Sequence, residues 1–295
     1  DGVYSTDWIK ENFFFDLRSF YFFHRTNYHL EELQFFAKLE CYKTFEKKQN
    51  LIKTFPDVGY KRFKEANREV DECFIDILKK LVLKNNKPFF IGIAGQTGAG
   101  NTEIVSQIQA EFKNHGLTIG YVEIDQFLTD REEREAKGID SLGKEALHFE
   151  FFIDALKFLR EGKPAITPQY DFIGAVSSHT NSGQLKPGFE CAEIKPADLI
   201  FIEGNFPFLY PEVAELIDLK IMYLTDDEIR LKRKWKRDID YRRKYSFFYF
   251  VNRYFREQFL MAELVYIPQI KKCDILVDTT GASIWVCPNV KNRLA

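Results

Sequence analysis

Residues 95–102 read GQTGAGNT, set between a short apolar run and a helix-forming stretch, and this arrangement constrains the fold more than any other feature. The preceding FFIGIAG is rich in Ile and Phe and ends in glycine, as a strand buried on both faces of a parallel sheet reads. A phosphate-binding loop has the pattern G-x-x-x-x-G-K-[ST], and Gly95, Gly100 and Thr102 fall in register with it. Glycines let backbone N–H groups turn toward a phosphate, and the helix opening at the end of the loop adds its positive dipole. Gly95, Gly98, Ala99, Gly100, Asn101 and Thr102 are therefore the expected nucleotide-binding residues, with Thr102 also placed to ligate magnesium. The lysine position holds Asn101. An amide donates a hydrogen bond but brings no charge, so stabilisation of the transferring phosphoryl group is the property at stake.

Further apolar runs at 117–124, 198–202, 219–224 and 274–277 alternate with helical stretches at 103–114, 145–161 and 226–245. The alternation predicts an α/β fold, a P-loop-type parallel sheet covered by helices. The N-terminal part has a different texture. Apolar residues recur at three-residue steps through Leu30, Leu33, Phe36, Leu39 and Tyr42, and again through Phe63, Ala66, Val70, Phe74, Ile77 and Leu81. That spacing, with Pro56 as a break, predicts a helical N-terminal extension over 1–85 and a P-loop domain over 86–295. The many Phe and Tyr residues of the extension read as helix packing rather than as a ligand pocket.

Composition excludes several classes. A net charge of −2 gives no overall reason to expect nucleic acid or an acidic membrane as partner. The five cysteines are odd in number and widely spaced, without CxxC pairs, so neither zinc nor a disulfide framework is indicated and a reducing cytoplasm is expected. No apolar run approaches the ~20 residues needed to span a bilayer. The opening DGVYSTDWIKENFF lacks the basic start and apolar stretch of a signal peptide, and its want of Met reads as a trimmed chain.

Five segments carry a family resemblance: VEIDQF at 122–127, FFIDALKFLREGKPAITPQYDF at 151–172, DLIFIEG at 198–204, DLKIMYL at 218–224, and the basic run 230–244, in which nine of fifteen residues are Lys or Arg. Together with the loop they resemble the uridine kinase/phosphoribulokinase family, which includes bacterial pantothenate kinases. The resemblance implies ATP and Mg2+ as cofactors and a small-molecule hydroxyl acceptor: a nucleoside, sugar phosphate, pantothenate-like or glycerate-like compound. It makes Asp125 the base that takes the acceptor proton, Tyr170 and Asp171 acceptor contacts, and Glu203 with Thr102 the magnesium ligands. It makes the basic run a lid, whose R-D-x-x-x-R spacing is met by Arg237, Asp238 and Arg242. Arg237 and Arg242 are then catalytic, and Arg230 and Lys234 gather near Arg237 on one side of the helix. Nucleoside kinases of the family carry a histidine and an arginine soon after the tyrosine-aspartate pair. Here His179 lies farther along without an arginine, and reads as a surface-loop residue.

Two functions stay open on these residues. One is an ATP-dependent phosphotransferase. The other is a catalytically impaired kinase-like protein that binds nucleotide or a protein partner, the aromatic N-terminal helices then serving a partner or a second copy. Asn101 is a charge supplied from elsewhere, a charge lost, or an introduced substitution.

Overall fold

The computed structural model describes residues 38–49, 60–241, 246–254 and 261–295. In chain order the elements are β1 (Glu40–Thr44), α1 (Tyr60–Val82), β2 (Phe89–Ala94), α2 (Asn101–Asn114), β3 (Ile119–Glu123) and a 3-10 turn (Ile124–Phe127). Then come α3 (Arg131–Ala136), α4 (Phe149–Arg160), β4 (Ala165–Thr167), β5 (Tyr170–Asp171), β6 (Val176–Ser177), β7 (Ala192–Ile194) and β8 (Leu199–Gly204). The chain continues through α5 (Pro211–Ala214), β9 (Leu219–Leu224), α6 (Asp227–Trp235), a π-helical turn (Lys236–Tyr241), α7 (Phe247–Arg253), α8 (Met261–Ile270), β10 (Ile275–Asp278), β11 (Ser283–Val286) and α9 (Pro288–Leu294). The class is α/β, with mostly parallel strands and helices between them. Among the described residues no helix is long and apolar enough to cross a membrane.

Two compact units are formed. One combines Val82–Ala94 with Asn101–Lys220. Three of its strands run β2-β8-β3, parallel, in a register that pairs Ala94 with Gly204 and Glu123 with Glu203, while β4-β7 and β5-β6 form antiparallel pairs. Every residue of β2 and β8 is buried, which explains their unbroken apolar sequences. Gly92 is required by packing, since a Cβ there would stand 2.9 Å from Ile217 Cδ1.

The other unit combines the described residues up to Leu81 with Gly95–Gly100 and Ile221–Ala295. Here β10 runs parallel to β9 and antiparallel to β11, and β1 adds antiparallel to β11 with Cys41 opposite Trp285. The helix α1 buries Phe63, Val70, Phe74, Ile77 and Leu81, the residues its periodicity singled out.

The helical reading fails at Glu40–Thr44, which is a strand. Pairing with β11, distant in sequence, outweighs the three-residue recurrence that ends on Leu39 and Tyr42. The part of that recurrence before Lys38 lies outside the described residues. The helix expected over 226–245 keeps α form only to Trp235 and continues as a π-helical turn.

Candidate functional site

The loop leaves β2 and turns through two positive φ angles, +86° at Gly98 and +109° at Gly100, conformations that favour glycine. The Ala99 N–H closes it onto the Gln96 carbonyl at 2.9 Å. Against it lies α6. A Cβ at Gly98 would stand 3.2 Å from the carbonyl oxygen of Arg230, so no larger residue fits this contact without displacement. The loop is held by its carbonyls. Arg233 Nη1 donates to Gly98 O at 2.7 Å and to Ala99 O at 3.0 Å, Thr225 Oγ1 donates to Ala99 O at 2.9 Å, and Arg230 Nη1 approaches Thr97 O at 3.4 Å. Carbonyls repel an anion and N–H groups bind one, so donors on the carbonyls mask the loop groups that would oppose an anion.

Asn101 opens α2 and is buried, 8% exposed. Its side-chain amide hydrogen-bonds Glu203, while its Oδ1 is buried without a hydrogen-bond partner. Glu203 ends β8 and accepts a hydrogen bond from the Tyr121 hydroxyl at 2.8 Å. Burial pushes the Glu203 carboxyl up to about 7; the bonds from Tyr121 and Asn101 work against that rise, and the charges of Asp125 and Glu123 add to it. Burial, with Glu203 beside it, drives the Tyr121 hydroxyl far upward, so it remains a donor. Asp125 lies half-buried in the 3-10 turn that follows β3. Gly204, at φ +155°, lets this turn close on the end of β8, where a Cβ would meet Ile124 Cβ at 2.9 Å. Gly204→Ala is expected to destabilise the protein by about 1–3 kcal/mol through overpacking and backbone strain, measurable by denaturant unfolding.

Thr102, in the first turn of α2, is exposed. The Glu203 carboxylate and Thr102 hydroxyl are hard oxygen donors suited to Mg2+. Among the described residues no group of three or more His, Cys, Asp or Glu forms a metal cage.

A cavity of about 450 Å³ lies beside these strand ends, lined by Tyr121, Glu123, Gln126, Phe127, Tyr170 and Asp171, with Phe189 and Ile194 among its apolar walls. Gln126 braces it: Nε2 donates to Glu123 Oε2 at 3.1 Å, and Oε1 accepts from the Tyr170 N–H at 3.0 Å. Arg134, buried, donates to Thr129 O and reaches the Tyr170 hydroxyl at 3.4 Å. Asp171 also has a structural task, accepting from the N–H groups of Ile173 at 2.8 Å and Gly174 at 3.0 Å in the β5–β6 turn.

His179 is not a surface-loop residue. It is buried, takes part in a hydrogen bond with Ser178 Oγ at Nδ1 (2.8 Å), and packs edge-on against His148 and Phe151. His148, also buried, meets Ser177 Oγ at 3.0 Å. Burial, and then the neighbouring His179, lower the His148 imidazole to about 4 from 6.5. Because the folded value is depressed, the unfolded chain binds more protons between these values. The stabilisation is present above about pH 6.5 and lost as pH falls toward 4. His148→Gln is expected to flatten that acid loss by about 2–3 kcal/mol, read from Tm across the window.

The basic segment differs from the expected lid. Arg230 is fully buried in an ion pair with Asp227, and Lys234 is buried 3.3 Å from Asp238. Their spacing gathers them on the helix, but toward the interior. Arg237 forks onto Asp238 through Nε at 2.8 Å and Nη2 at 3.2 Å. Burial works against the Asp238 charge, yet Lys234 and Arg237 hold it at about 2. Arg242 lies outside the described residues. Sequence reading passed over Tyr121, Arg134, His148 and Arg233. Arg233 was indistinguishable from its basic neighbours, whereas Tyr121 stood two residues before Glu123 and hence on the same face of β3.

A P-loop on an α/β fold, with carboxylates at neighbouring strand ends, defines a nucleotide-dependent phosphotransferase scaffold. Residues 90–283 match the model of the Phosphoribulokinase / Uridine kinase family, and the chain belongs to that family. It is 33% identical over 160 residues to a uridine kinase of Bacillus mycoides (strain KBAB4), covering 53% of this chain and 70% of that protein. It is likewise 33% identical over 157 residues to a uridine kinase of Bacillus cereus (strain AH187), covering 52% of this chain and 68% of that protein. D-glycerate 3-kinase from Cryptococcus neoformans shares the fold with a TM-score of 0.51 at 11% identity, over 72% of this chain and 95% of that one.

Proposed function

We propose that this protein is an ATP-dependent phosphotransferase that transfers the γ-phosphoryl group to a hydroxyl of a small metabolite. The observation that carries the reading is the set of Asp125, Glu203, Tyr121 and Asn101 around the ends of β3 and β8, beside a cavity of metabolite size. The loop residues 95–102 bind phosphate through backbone N–H groups and the α2 dipole. ATP supplies the phosphoryl group; Thr102 and Glu203 would hold Mg2+, which would neutralise phosphate charge. Asp125 accepts the proton of the attacking hydroxyl. Tyr170 and Gln126 orient the acceptor, while Arg237 and Arg242 bring positive charge. Its free cysteines fit a reducing cytoplasm.

Glu123 and Asp171 both line the cavity, so an uncharged polyol or nucleoside suits this wall better than an acceptor that brings a further negative charge. The test is ADP release with magnesium-ATP across matched acceptors with and without a phosphate group. Turnover of the uncharged members supports the assignment, and preference for the phosphorylated partners sinks it.

A further inference from the structure

The family match begins at residue 90, so α1 lies outside it, yet α1 takes part in holding the loop. Phe63, 2% exposed, carries the Arg233 guanidinium 3.8 Å from its ring centroid. This is the guanidinium that donates to Gly98 O and Ala99 O. Further along the same face of α1, at steps of four, stand Asn67 and Asp71. Asp71 Oδ1 accepts from the Tyr223 hydroxyl at 2.9 Å, and Asn67 and Arg233 also act on that hydroxyl. Asn67 accepts from Gln49 Nε2, whose Oε1 accepts from Thr280 Oγ1 at 2.9 Å, and Thr280 Oγ1 accepts from the Asp226 N–H at 3.0 Å. The first turn of α6 and its arginine are thereby tied to α1 at both ends of the contact.

We propose that α1 is a built-in positioning element for the phosphate loop. Phe63 fixes the Arg233 guanidinium that holds the loop by its carbonyls. The consequence for nucleotide affinity rests on the reading of residues 95–102 as the nucleotide site. A long arginine has many rotamers in water; a stack on an aromatic face restricts them and adds cation–π attraction. With the guanidinium fixed, the Gly98 and Ala99 carbonyls stay engaged and the loop is ready for an anion before one arrives. Phe63 and Arg233 are positioning residues: Phe63 stacks on the Arg233 guanidinium, and Arg233 donates to the Gly98 and Ala99 carbonyls.

The experiment uses the full chain with Phe63→Leu, which keeps most of the core volume, Arg233→Lys, and the double variant. Phe63→Ala is the harsher companion. Amide hydrogen exchange of a peptide covering residues 95–102 is measured without nucleotide, and magnesium-ADP affinity by calorimetry. Phe63→Leu should speed loop exchange and weaken nucleotide binding by about threefold to tenfold, the range of a partly desolvated cation–π contact. In the Arg233→Lys background the same change should add little, because the two residues act as one unit. A purely structural Phe63 would instead speed exchange along α1 and leave residues 95–102 alone. Unchanged loop exchange in Phe63→Leu, or effects that simply add, would overturn the proposal. Faster loop exchange in a chain whose parent binds no nucleotide would uphold the linkage and overturn the nucleotide reading.

Discussion

Asn101→Lys should raise turnover by on the order of 10²–10³, the range by which one preorganised stabilising donor changes a transfer rate. Asn101 now bonds Glu203 through its amide and leaves Oδ1 buried without a partner. A lysine there would place its charge beside a carboxyl that burial has pushed up to about 7, and would draw that value down. Glu203 would then be ionised through the neutral range, and transferring phosphoryl oxygens would meet a cation instead of an amide. Two readouts separate this from a stability effect. The turnover number should rise more than the affinity for nucleotide, and the acid limb that Glu203 sets in the pH–rate profile should move to lower pH. Equal turnover in parent and variant would show that charge from elsewhere already fills the role.

The second large effect is expected at Asp125. Replacing it with Asn keeps size and hydrogen bonding but removes the proposed acceptor for the hydroxyl proton, so turnover should fall by on the order of 10²–10⁴. Nucleotide affinity should change little, because the loop proposed to bind phosphate is built from other residues. Asp125 stands on a turn fixed by the fit of Gly204 against Ile124, so an isosteric change should leave the strand ends in place. Single-turnover measurements with saturating acceptor give the cleanest value. A variant that retains most of its transfer rate would remove Asp125 from the chemistry.

How much of this was legible in the sequence depends on how local each signal is. The run from β2 through the loop into α2 was readable because a buried strand, a glycine turn and a helix start are written in consecutive residues. β9 was readable over its whole length for the same reason. β1 was not, because its conformation comes from pairing with β11, some 240 residues away along the chain. The two-residue strands β5 and β6 are too short to leave a periodic signal. At the site, residue types marked Asp125, Glu203 and Thr102, but the bonds that Asn101 and Tyr121 make to Glu203 join distant segments and could only come from the fold. The basic run was visible as charge. Which of its members turn inward to Asp227 and Asp238, and which reaches the loop, is decided by tertiary packing.

The proposed transfer of a phosphoryl group from ATP to an acceptor hydroxyl is read most directly from its product. The full chain is incubated with magnesium-ATP and uncharged hydroxyl acceptors, and the acceptors are examined by mass spectrometry and phosphorus NMR. The expected product is an acceptor that gains a phosphoryl group on oxygen, faster with Asn101→Lys and lost with Asp125→Asn. No phosphorylated acceptor from the parent or from Asn101→Lys, with ATP bound in both, would contradict it.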